Sequence, residues 1–224
     1  MKIALFCGAV VGLQALNYLR IFHEEIIVVT NTPEIIEYCS QNNIKIYKKD
    51  NIPEVDALFS VYYNELIPKE SFFNVPFRIN FHGGKLPEYS GCYSNIWAII
   101  NREKSNFATA HILEANFDTG DIVDEIEVPI EDDDTGEDVY WKTSTAIFEL
   151  FVRVYTSISE ETGLIRRKQD LSKRKYYKRE LPNNGFVDLV DNNAYNFIRA
   201  VTFKGFESAH TRLNGKKIYL RVEK

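Results

Sequence analysis

The chain has 224 residues, of which 45% are apolar and 26% are charged, and its formal net charge is −5. This composition suits one globular domain with a small appendage, since domains run to roughly 150 residues. It argues against a large nucleic-acid interface, which needs a basic face, and no apolar run approaches the roughly 18 residues of a membrane-spanning helix.

Short apolar runs alternate with segments of helical spacing over the first two thirds of the chain. Strands are predicted at 2–7, 25–30, 56–63, 78–82, 107–113 and 122–130. Helices are predicted at 10–22, from Pro33, at 93–103 and at 142–161. Thr135 is a candidate N-cap for the last helix, and Gly163 is expected to end it. This order predicts an α/β fold with a mostly parallel sheet covered on both faces.

The composition changes after the long helix. Residues 166–179 are strongly basic, which indicates either a solvated face or a phosphate-binding segment. A turn at 181–185, a short helix at 194–201 and the hairpin signature Asn214-Gly215 follow. We therefore expect an N-terminal domain at 1–165 and a C-terminal extension at 166–224 that contains a short helix and a β-hairpin.

Two hydrogen-bonding side chains end one of the predicted strands. Asn80 and His82 are two residues apart, so they project from the same face, at the strand edge where ligands bind in open parallel sheets. Gly83, Gly84 and Gly91 follow, and glycine lets a backbone and a substrate approach closely. A histidine can take a proton near neutral pH, and an asparagine amide can stabilise an oxyanion by about 3 kcal/mol. These groups suit acyl transfer.

A carboxylate that could orient the imidazole occurs in the next predicted loop. Asp118 begins the sequence Asp-Thr-Gly-Asp between two predicted strands and can reach the same sheet edge, while Asp121 is expected to serve the loop or a ligand. The alternative is a structural role, since Asn-x-His at a strand end is more often structural and Asp-Thr-Gly also occurs as turn chemistry.

The order and spacing of three motifs resemble the catalytic core of the folate-dependent formyltransferases. The matching positions are Asn80, His82, Leu86, Pro87, Tyr89, Gly91, Asp118, Thr119, Gly120, Asp121 and Ile122. The resemblance covers most of residues 1 to 165 and implies a Rossmann-like formyltransferase domain. It also implies N10-formyltetrahydrofolate as the donor, a primary amine as the acceptor, and no metal.

The resemblance assigns roles to individual residues. Asn80 would stabilise the oxyanion, His82 would serve as general base, and Asp118 would support the charge on His82. The residues expected to hold the folate are Tyr62, Tyr63, Asn64, Leu66 and Asp121, largely through backbone groups. The residues expected on the acceptor side are Lys85, Tyr89, Gly83 and Gly84.

The acceptor is inferred from the flanking segments. Methionyl-tRNA enzymes of this family carry a long basic C-terminal barrel, whereas here about forty residues follow the turn at 181–185. Glycinamide ribonucleotide enzymes have Pro-Ser-Leu where this chain has Gly83-Gly84-Lys85. The Phe-Ile-Arg-Ala motif at 197–200 is similar to the tail of nucleotide-sugar N-formyltransferases. The expected acceptor is a dTDP-linked 4-amino-4,6-dideoxyglucose, used in the O-antigen of lipopolysaccharide. A methionyl-tRNA formyltransferase and a non-catalytic nucleotide-sugar binding protein stay open as alternatives.

The remaining features give weaker expectations. The three widely spaced cysteines fit no metal-binding or redox pattern, so we expect a cytoplasmic protein without a metal, with Cys92 as a buried small residue. His23, His111 and His210 lack partners in the sequence and are expected to be structural or exposed. The expected partners are a nucleotide sugar and a folate, without nucleic acid or a membrane span. The C-terminal hairpin could form a homodimer or fold back onto its own sheet.

Overall fold

The computed structural model describes residues 1–223. The strands are β1 (Ile3–Cys7), β2 (Ile27–Val29), β3 (Ala57–Val61), β4 (Phe77–His82), β5 (Ser90–Gly91), β6 (Ser105–Ile112), β7 (Ile122–Pro129), β8 (Tyr176–Tyr177), β9 (Ala209–Leu213) and β10 (Lys216–Leu220). The α-helices are α1 (Ala9–Phe22), α2 (Pro33–Gln41), α3 (Ser94–Ile100), α4 (Gly136–Ser159) and α5 (Ala194–Ala200). Short 3-10 helices lie at Lys69–Ser71, Leu171–Lys173 and Pro182–Gly185.

The central sheet has the strand order β2-β1-β3-β4-β6-β7. The first four of these strands run parallel, and β6 runs antiparallel to both of its neighbours. Every residue of β1 and β3 is buried, as expected of strands that are covered on both faces. The predicted α/β fold with a mostly parallel sheet and a C-terminal β-hairpin is therefore confirmed.

The two faces of the sheet are covered differently. Helices α1, α2 and α4 pack on one face, where Phe59, Phe81 and Phe151 form its aromatic centre. The other face is covered by apolar side chains from the segment between β3 and β4, including Ile67 and Phe72. The last residues of β4, between these two layers in the sheet, include Asn80 and His82.

Helix α4 is the longest helix and begins earlier than its apolar stripe suggests. Thr135 is its N-cap, as predicted, and forms a capping box with Asp138. The prediction that Gly163 ends this helix is wrong, because Glu161 already adopts a left-handed backbone with φ of 57° just after the last helical turn. Among the helices of residues 1–223, none is both long and apolar enough to cross a bilayer.

The C-terminal part packs against the start of α4. Helices α3 and α5 share a second core with residues around the hairpin, including Val187 and Ala209. The β9-β10 hairpin turns at Asn214-Gly215, both with positive φ, as the Asn-Gly signature predicts. Strand β8 pairs in parallel with β5 and so ties the basic segment to the first part of the chain. The division of the chain at residue 165 stays a prediction.

Candidate functional site

Polar side chains from two antiparallel strands meet at one end of the sheet. Asn80 and His82 lie two residues apart on β4, and the register with β6 puts His111 directly opposite Asn80. Asp118 enters from the loop between β6 and β7. Its Oδ1 atom is 3.8 Å from His82 Nδ1 and 3.5 Å from His111 Nε2. The structure therefore brings Asn80, His82 and Asp118 together, with a second imidazole beside them.

The tautomer of His82 follows from its partners. Its Nε2 lies 2.7 Å from the carbonyl oxygen of Tyr89, and a carbonyl can only accept a hydrogen bond, so Nε2 carries a hydrogen. In the neutral ring the lone pair is then on Nδ1, which faces Asp118 at 3.8 Å. His82 is 8% exposed, so the protein shields its ring from most of the solvent. The basic atom of the site is therefore Nδ1 of His82.

His111 fixes the Asn80 amide in the same way. Nδ1 of His111 donates to the carbonyl oxygen of Ile112 at 2.9 Å, which leaves Nε2 of the neutral ring to accept from Nδ2 of Asn80 at 3.0 Å. His111 is 1% exposed. The amide group of Asn80 has two hydrogens, and this bond uses one of them. The second hydrogen can be donated to a ligand oxygen at the sheet edge.

Asp118 is held as an anion. Its Oδ2 atom accepts a hydrogen bond from the backbone N–H of Gly91 at 2.7 Å. Burial alone would raise the pKa of this carboxyl, but the charge of His82, the neighbouring His111 imidazole and the Gly91 amide hold its pKa well below the usual range. The Asp118 side chain is only 10% exposed, so these charges act with little screening. The carboxylate of Asp118 therefore stays ionised.

The loop that carries Asp118 is strained and tightly confined. Asp118 itself has a left-handed φ of 54°. A Cβ atom added at Gly120 would lie 1.9 Å from the carbonyl oxygen of Ile112, so only glycine fits at this position. The Asp-Thr-Gly-Asp sequence thus specifies a loop shape in addition to supplying a carboxylate.

The basic segment, residues 166–179, crosses over this loop, and we call it the strap. Nε2 of Gln169 donates to the carbonyl oxygens of Asp118 at 3.0 Å and Gly120 at 2.6 Å. Nη2 of Arg174 donates to the carbonyl oxygen of Phe117 at 3.0 Å. The strap therefore holds three carbonyl oxygens of the loop, which explains how a strained backbone keeps Asp118 in position.

Sequence reasoning missed two residues of this arrangement. His111 was set aside because it has no partner nearby in the sequence, although it lies seven residues before Asp118 on the strand that leads into its loop. The antiparallel pairing of β6 with β4 places it beside Asn80, and a mostly parallel sheet gives no direction for this individual strand. Gln169 is the one uncharged polar side chain in the first five residues of the strap, and its position alone gave no signal.

Four of the five residues predicted to hold the folate follow the end of β3. Tyr62 has a left-handed φ of 50°, and its hydroxyl oxygen lies 2.6 Å from where a Cβ atom of Gly83 would be. The ring of Tyr63 packs edge-on against Phe6, and burial together with Glu65 raises the pKa of its hydroxyl to about 12.

The other residues predicted for the folate are less enclosed. The side chain of Asn64 accepts a hydrogen bond from Asn31 at 2.7 Å, and Leu66 is 56% exposed. Asp121 is half-buried and uses its carbonyl oxygen to accept from the N–H of Ile112. Binding of a folate by Tyr62, Tyr63, Asn64, Leu66 and Asp121 stays a prediction.

The loop after β4 is shaped by contacts within the protein. The carbonyl oxygen of Gly83 accepts from the side chains of Ser94 and Asn106, and that of Gly84 accepts from Thr109. A Cβ atom at Gly84 would lie 2.9 Å from Nε2 of His82. The missing side chains therefore make room for the His82 imidazole and the groups that hold it.

Two other side chains of this loop were predicted to contact the acceptor. Nζ of Lys85 is exposed and lies 5.4 Å from the ring centroid of Phe107. The side chain of Tyr89 is buried, and its hydroxyl donates to Glu103 at 2.7 Å. Tyr89 thus contributes to the site through its carbonyl oxygen on His82. Substrate contacts by Lys85, Tyr89, Gly83 and Gly84 stay predictions.

Two further side chains bear on expectations from the sequence. Cys92 is half-exposed, so the expectation that it is buried is wrong. His23 bonds to the hydroxyl of Tyr155, far from the site. Within residues 1–223, no group of three or more His, Cys, Asp and Glu side chains is arranged to hold a metal ion.

Comparisons with known proteins point to one family. A family model described as formyl transferase matches residues 14–155. Over 184 residues the chain is 31% identical to the bifunctional polymyxin resistance protein ArnA of Wigglesworthia glossinidia brevipalpis. The aligned region covers 80% of this chain and 28% of that protein. Over 170 residues it is 29% identical to the GDP-perosamine N-formyltransferase of Brucella melitensis, which covers 74% of this chain and 64% of that protein. The chain thus spans less than two thirds of these curated relatives.

Solved structures share the fold. A 4-N formyltransferase from Francisella tularensis superimposes with a TM-score of 0.85 at 23% identity and covers 99% of this chain and 97% of that one. WlaRD is a sugar 3N-formyl transferase whose structure was solved in the presence of dTDP and 5-N-formyl-THF. It superimposes with a TM-score of 0.81 at 24% identity, and the match covers 97% of this chain and 84% of WlaRD. At these identities the likeness concerns the fold alone.

Proposed function

Because this chain belongs to the formyl transferase family, we propose that it transfers the formyl group of N10-formyltetrahydrofolate to the amine of a nucleotide-linked amino sugar. The observation that carries the proposal is the meeting of Asn80, His82 and Asp118 at the sheet edge, each with its polar atoms fixed by the protein. A protein that only bound a nucleotide sugar would need neither the buried carboxylate nor the oriented imidazole.

The chemistry divides between these side chains. The amine nitrogen attacks the formyl carbon, and the carbonyl electron pair moves to the oxygen, which accepts the free N–H of Asn80. Nδ1 of His82 takes the proton that the amine loses. The intermediate then collapses, the bond between the formyl carbon and N10 breaks, and His82 returns the proton to N10. The products are a formamide and tetrahydrofolate.

Asp118 acts through His82. It remains negatively charged throughout, so it stabilises the imidazolium that forms while the proton is on Nδ1. The low exposure of the pair makes this attraction stronger than it would be in water. His111 keeps the Asn80 amide turned toward the oxyanion. Asn80, His82, Asp118 and His111 therefore together stabilise the intermediate, in which the oxygen of the formyl group is negative and the imidazole of His82 is positive.

The donor is assigned to the two loops that flank this cluster. Tyr62, Tyr63, Asn64 and Leu66 follow the end of β3, and Asp121 ends the loop that holds Asp118. One structural relative was solved with 5-N-formyl-THF and another with folinic acid, which supports a folate in this cleft. The half-exposed Asp121 and the open backbone at Leu66 would bind the polar edge of the pterin.

The acceptor is assigned to the loop after β4, where Lys85 is an exposed cation. We favour a dTDP-linked 4-amino-4,6-dideoxyglucose destined for a surface glycan such as an O-antigen, made in the cytoplasm. A sugar amine as the acceptor is supported by two relatives, the sugar 3N-formyl transferase WlaRD and the GDP-perosamine N-formyltransferase of Brucella melitensis. The alternative acceptor, methionyl-tRNA, is supported by one relative, a Methionyl-tRNA formyltransferase that is 30% identical to this chain over 145 residues.

A homodimer through the C-terminal hairpin completes the proposal. Strand β10 pairs with β9 on one side, and Ile218 and Tyr219 are exposed on it. Exposed apolar edge strands tend to pair with another chain. Light scattering of the purified protein should give twice the chain mass, and Ile218→Lys should give the mass of one chain.

The function is tested by mass spectrometry of acceptors. The protein is mixed with N10-formyltetrahydrofolate and a panel of amino sugars linked to dTDP, UDP and GDP, with methionyl-tRNA in a separate reaction. We expect one added formyl group on a nucleotide sugar, and none in a His82→Ala control. Formylated tRNA would replace the acceptor assignment, and the absence of any formylated product with the whole panel would contradict it.

A further inference from the structure

The second half of the strap, residues 173–179, is a cluster of cations in an acidic chain. It contains Lys173, Arg174, Lys175, Lys178 and Arg179 and no acidic residue. Lys173 pairs with Asp170 at 3.6 Å, and Lys178 pairs with Glu180 at 4.0 Å. Among the residues that the structure describes, no carboxylate lies within ion-pair distance of Arg174, Lys175 or Arg179. These three cations are therefore available to an anionic ligand.

The position of the cluster links it to the two loops assigned to the donor. Arg174 bonds to the carbonyl oxygen of Phe117, next to Asp118, at 3.0 Å. Arg179 bonds through Nη2 to the carbonyl oxygen of Asn64 at 3.2 Å. The strap thus runs from one loop to the other. The five steps along the chain from Arg174 to Arg179 can span at most about 17 Å in extended chain. A folate held between these loops would pass under the strap on its way to solvent.

The arginines are positioned rather than freely mobile. The Arg174 guanidinium lies 5.2 Å from the ring centroid of Tyr176, and its Nε is buried without a hydrogen-bond partner in residues 1–223. Strand β8, which pairs with β5, fixes the backbone between Arg174 and Arg179. A guanidinium that is held in place loses less entropy when it binds a carboxylate, and it can bind one through two parallel bonds.

We propose that Arg174, Lys175 and Arg179 form a binding site for the glutamate tail of the folate donor. Folates end in glutamate residues joined through their γ-carboxyl groups, and each additional glutamate adds one carboxylate. The site would therefore select donors with several glutamates over the monoglutamate. This inference rests on the proposed function, because it requires that the folate lies between the two loops.

The competing ligand is the pyrophosphate of the nucleotide sugar. The backbone N–H of Lys175 donates to the carbonyl oxygen of Pro87 at 3.3 Å, so the strap also borders the acceptor loop. The folate tail is favoured because both arginines bond to the donor loops and neither bonds to residues 83–91. The number of glutamates distinguishes the two ligands, since it changes the folate and leaves the nucleotide sugar the same.

The test compares 5-formyltetrahydrofolate with one and with three glutamates by isothermal titration calorimetry. Two added carboxylates at a partly exposed cationic site should tighten binding by the wild-type protein about 10-fold at low salt, and this gain should shrink as salt is added. In the Lys175→Gln, Arg179→Gln double variant, which keeps the bond from Arg174 to the catalytic loop, we expect the triglutamate to bind less than about twofold more tightly than the monoglutamate.

A matched variant separates a specific site from a general charge effect. The double variant Arg212→Gln, Lys216→Gln removes the same charge from the hairpin and should keep the full preference for the triglutamate. Equal wild-type affinities for the two folates would overturn the proposal. Weaker binding of dTDP by the strap variant, with the glutamate preference kept, would overturn it in favour of the pyrophosphate. If neither folate bound, the donor assignment under the proposed function would fail, and this site with it.

Discussion

Replacing Gln169 with methionine tests whether the strap keeps the Asp118 carboxylate in place. The substitution retains the length of the side chain and removes the N–H groups that bond to Asp118 and Gly120. Each hydrogen bond contributes about 1 kcal/mol net, and a buried carbonyl left without a partner costs about 1–3 kcal/mol. Removal of the buried, unpartnered Oε1 of Gln169 offsets part of this. We expect the free energy of unfolding to fall by about 2–4 kcal/mol.

The effect on activity should exceed the effect of lost stability. The freed loop can relax its left-handed Asp118, and a shift of about 1 Å in a catalytic group can cost on the order of 100-fold in rate. Urea unfolding gives the stability, and the rate is measured well below the unfolding transition. Arg167→Gln is the control, because it removes only an exposed ion pair with Glu125 from the same strap. Wild-type kcat in Gln169→Met would refute the reasoning.

Three further outcomes follow from the same structure. Thr135→Ala removes a capping box and should lower the free energy of unfolding by about 1–2 kcal/mol, while Thr145→Ala on the exposed side of the same helix should change it by less than about 0.5 kcal/mol, both measured by urea titration. Gly120→Ala would put a Cβ atom 1.9 Å from the carbonyl oxygen of Ile112, and circular dichroism on heating should show a clearly lower Tm. Because the pKa of Asp118 is lowered by folding, its contribution to stability is present above about pH 4 and is lost as the pH falls below that value. The stability difference between wild type and Asp118→Asn should therefore narrow in acid, and a constant difference down to pH 2 would contradict this.

The fold could be predicted from the sequence where local signals are strong. The apolar runs of β1 and β3, the Asn-Gly turn of the hairpin and the N-cap Thr135 each specify their structure through neighbouring residues. The end of α4 could not be predicted in this way. Glycine is the usual residue after a helix, which favours Gly163, but Glu161 adopts the left-handed backbone that follows the last turn.

The side chains proposed to carry out the chemistry lie in short sequence motifs, whereas the side chains that position them do not. Asn80 and His82 share a strand, whereas His111 and Gln169 come from segments 31 and 89 residues beyond Asn80. Only the antiparallel register of β6 and the path of the strap bring them in. A sequence shows which side chains can do the chemistry, but pairing direction and long-range crossings decide what positions them.

The central claim is that His82 moves the proton during formyl transfer, and the rate of a His82→Ala variant tests it most directly. The wild-type protein, His82→Ala and a His23→Gln control, whose imidazole lies far from the site, are compared for kcat with the acceptor identified by mass spectrometry. We expect His82→Ala to bind 5-formyltetrahydrofolate with near wild-type affinity and to lose at least about 100-fold in kcat, while His23→Gln stays within about twofold. If His82→Ala kept more than a tenth of the wild-type kcat, the assignment of His82 as the catalytic base would be contradicted.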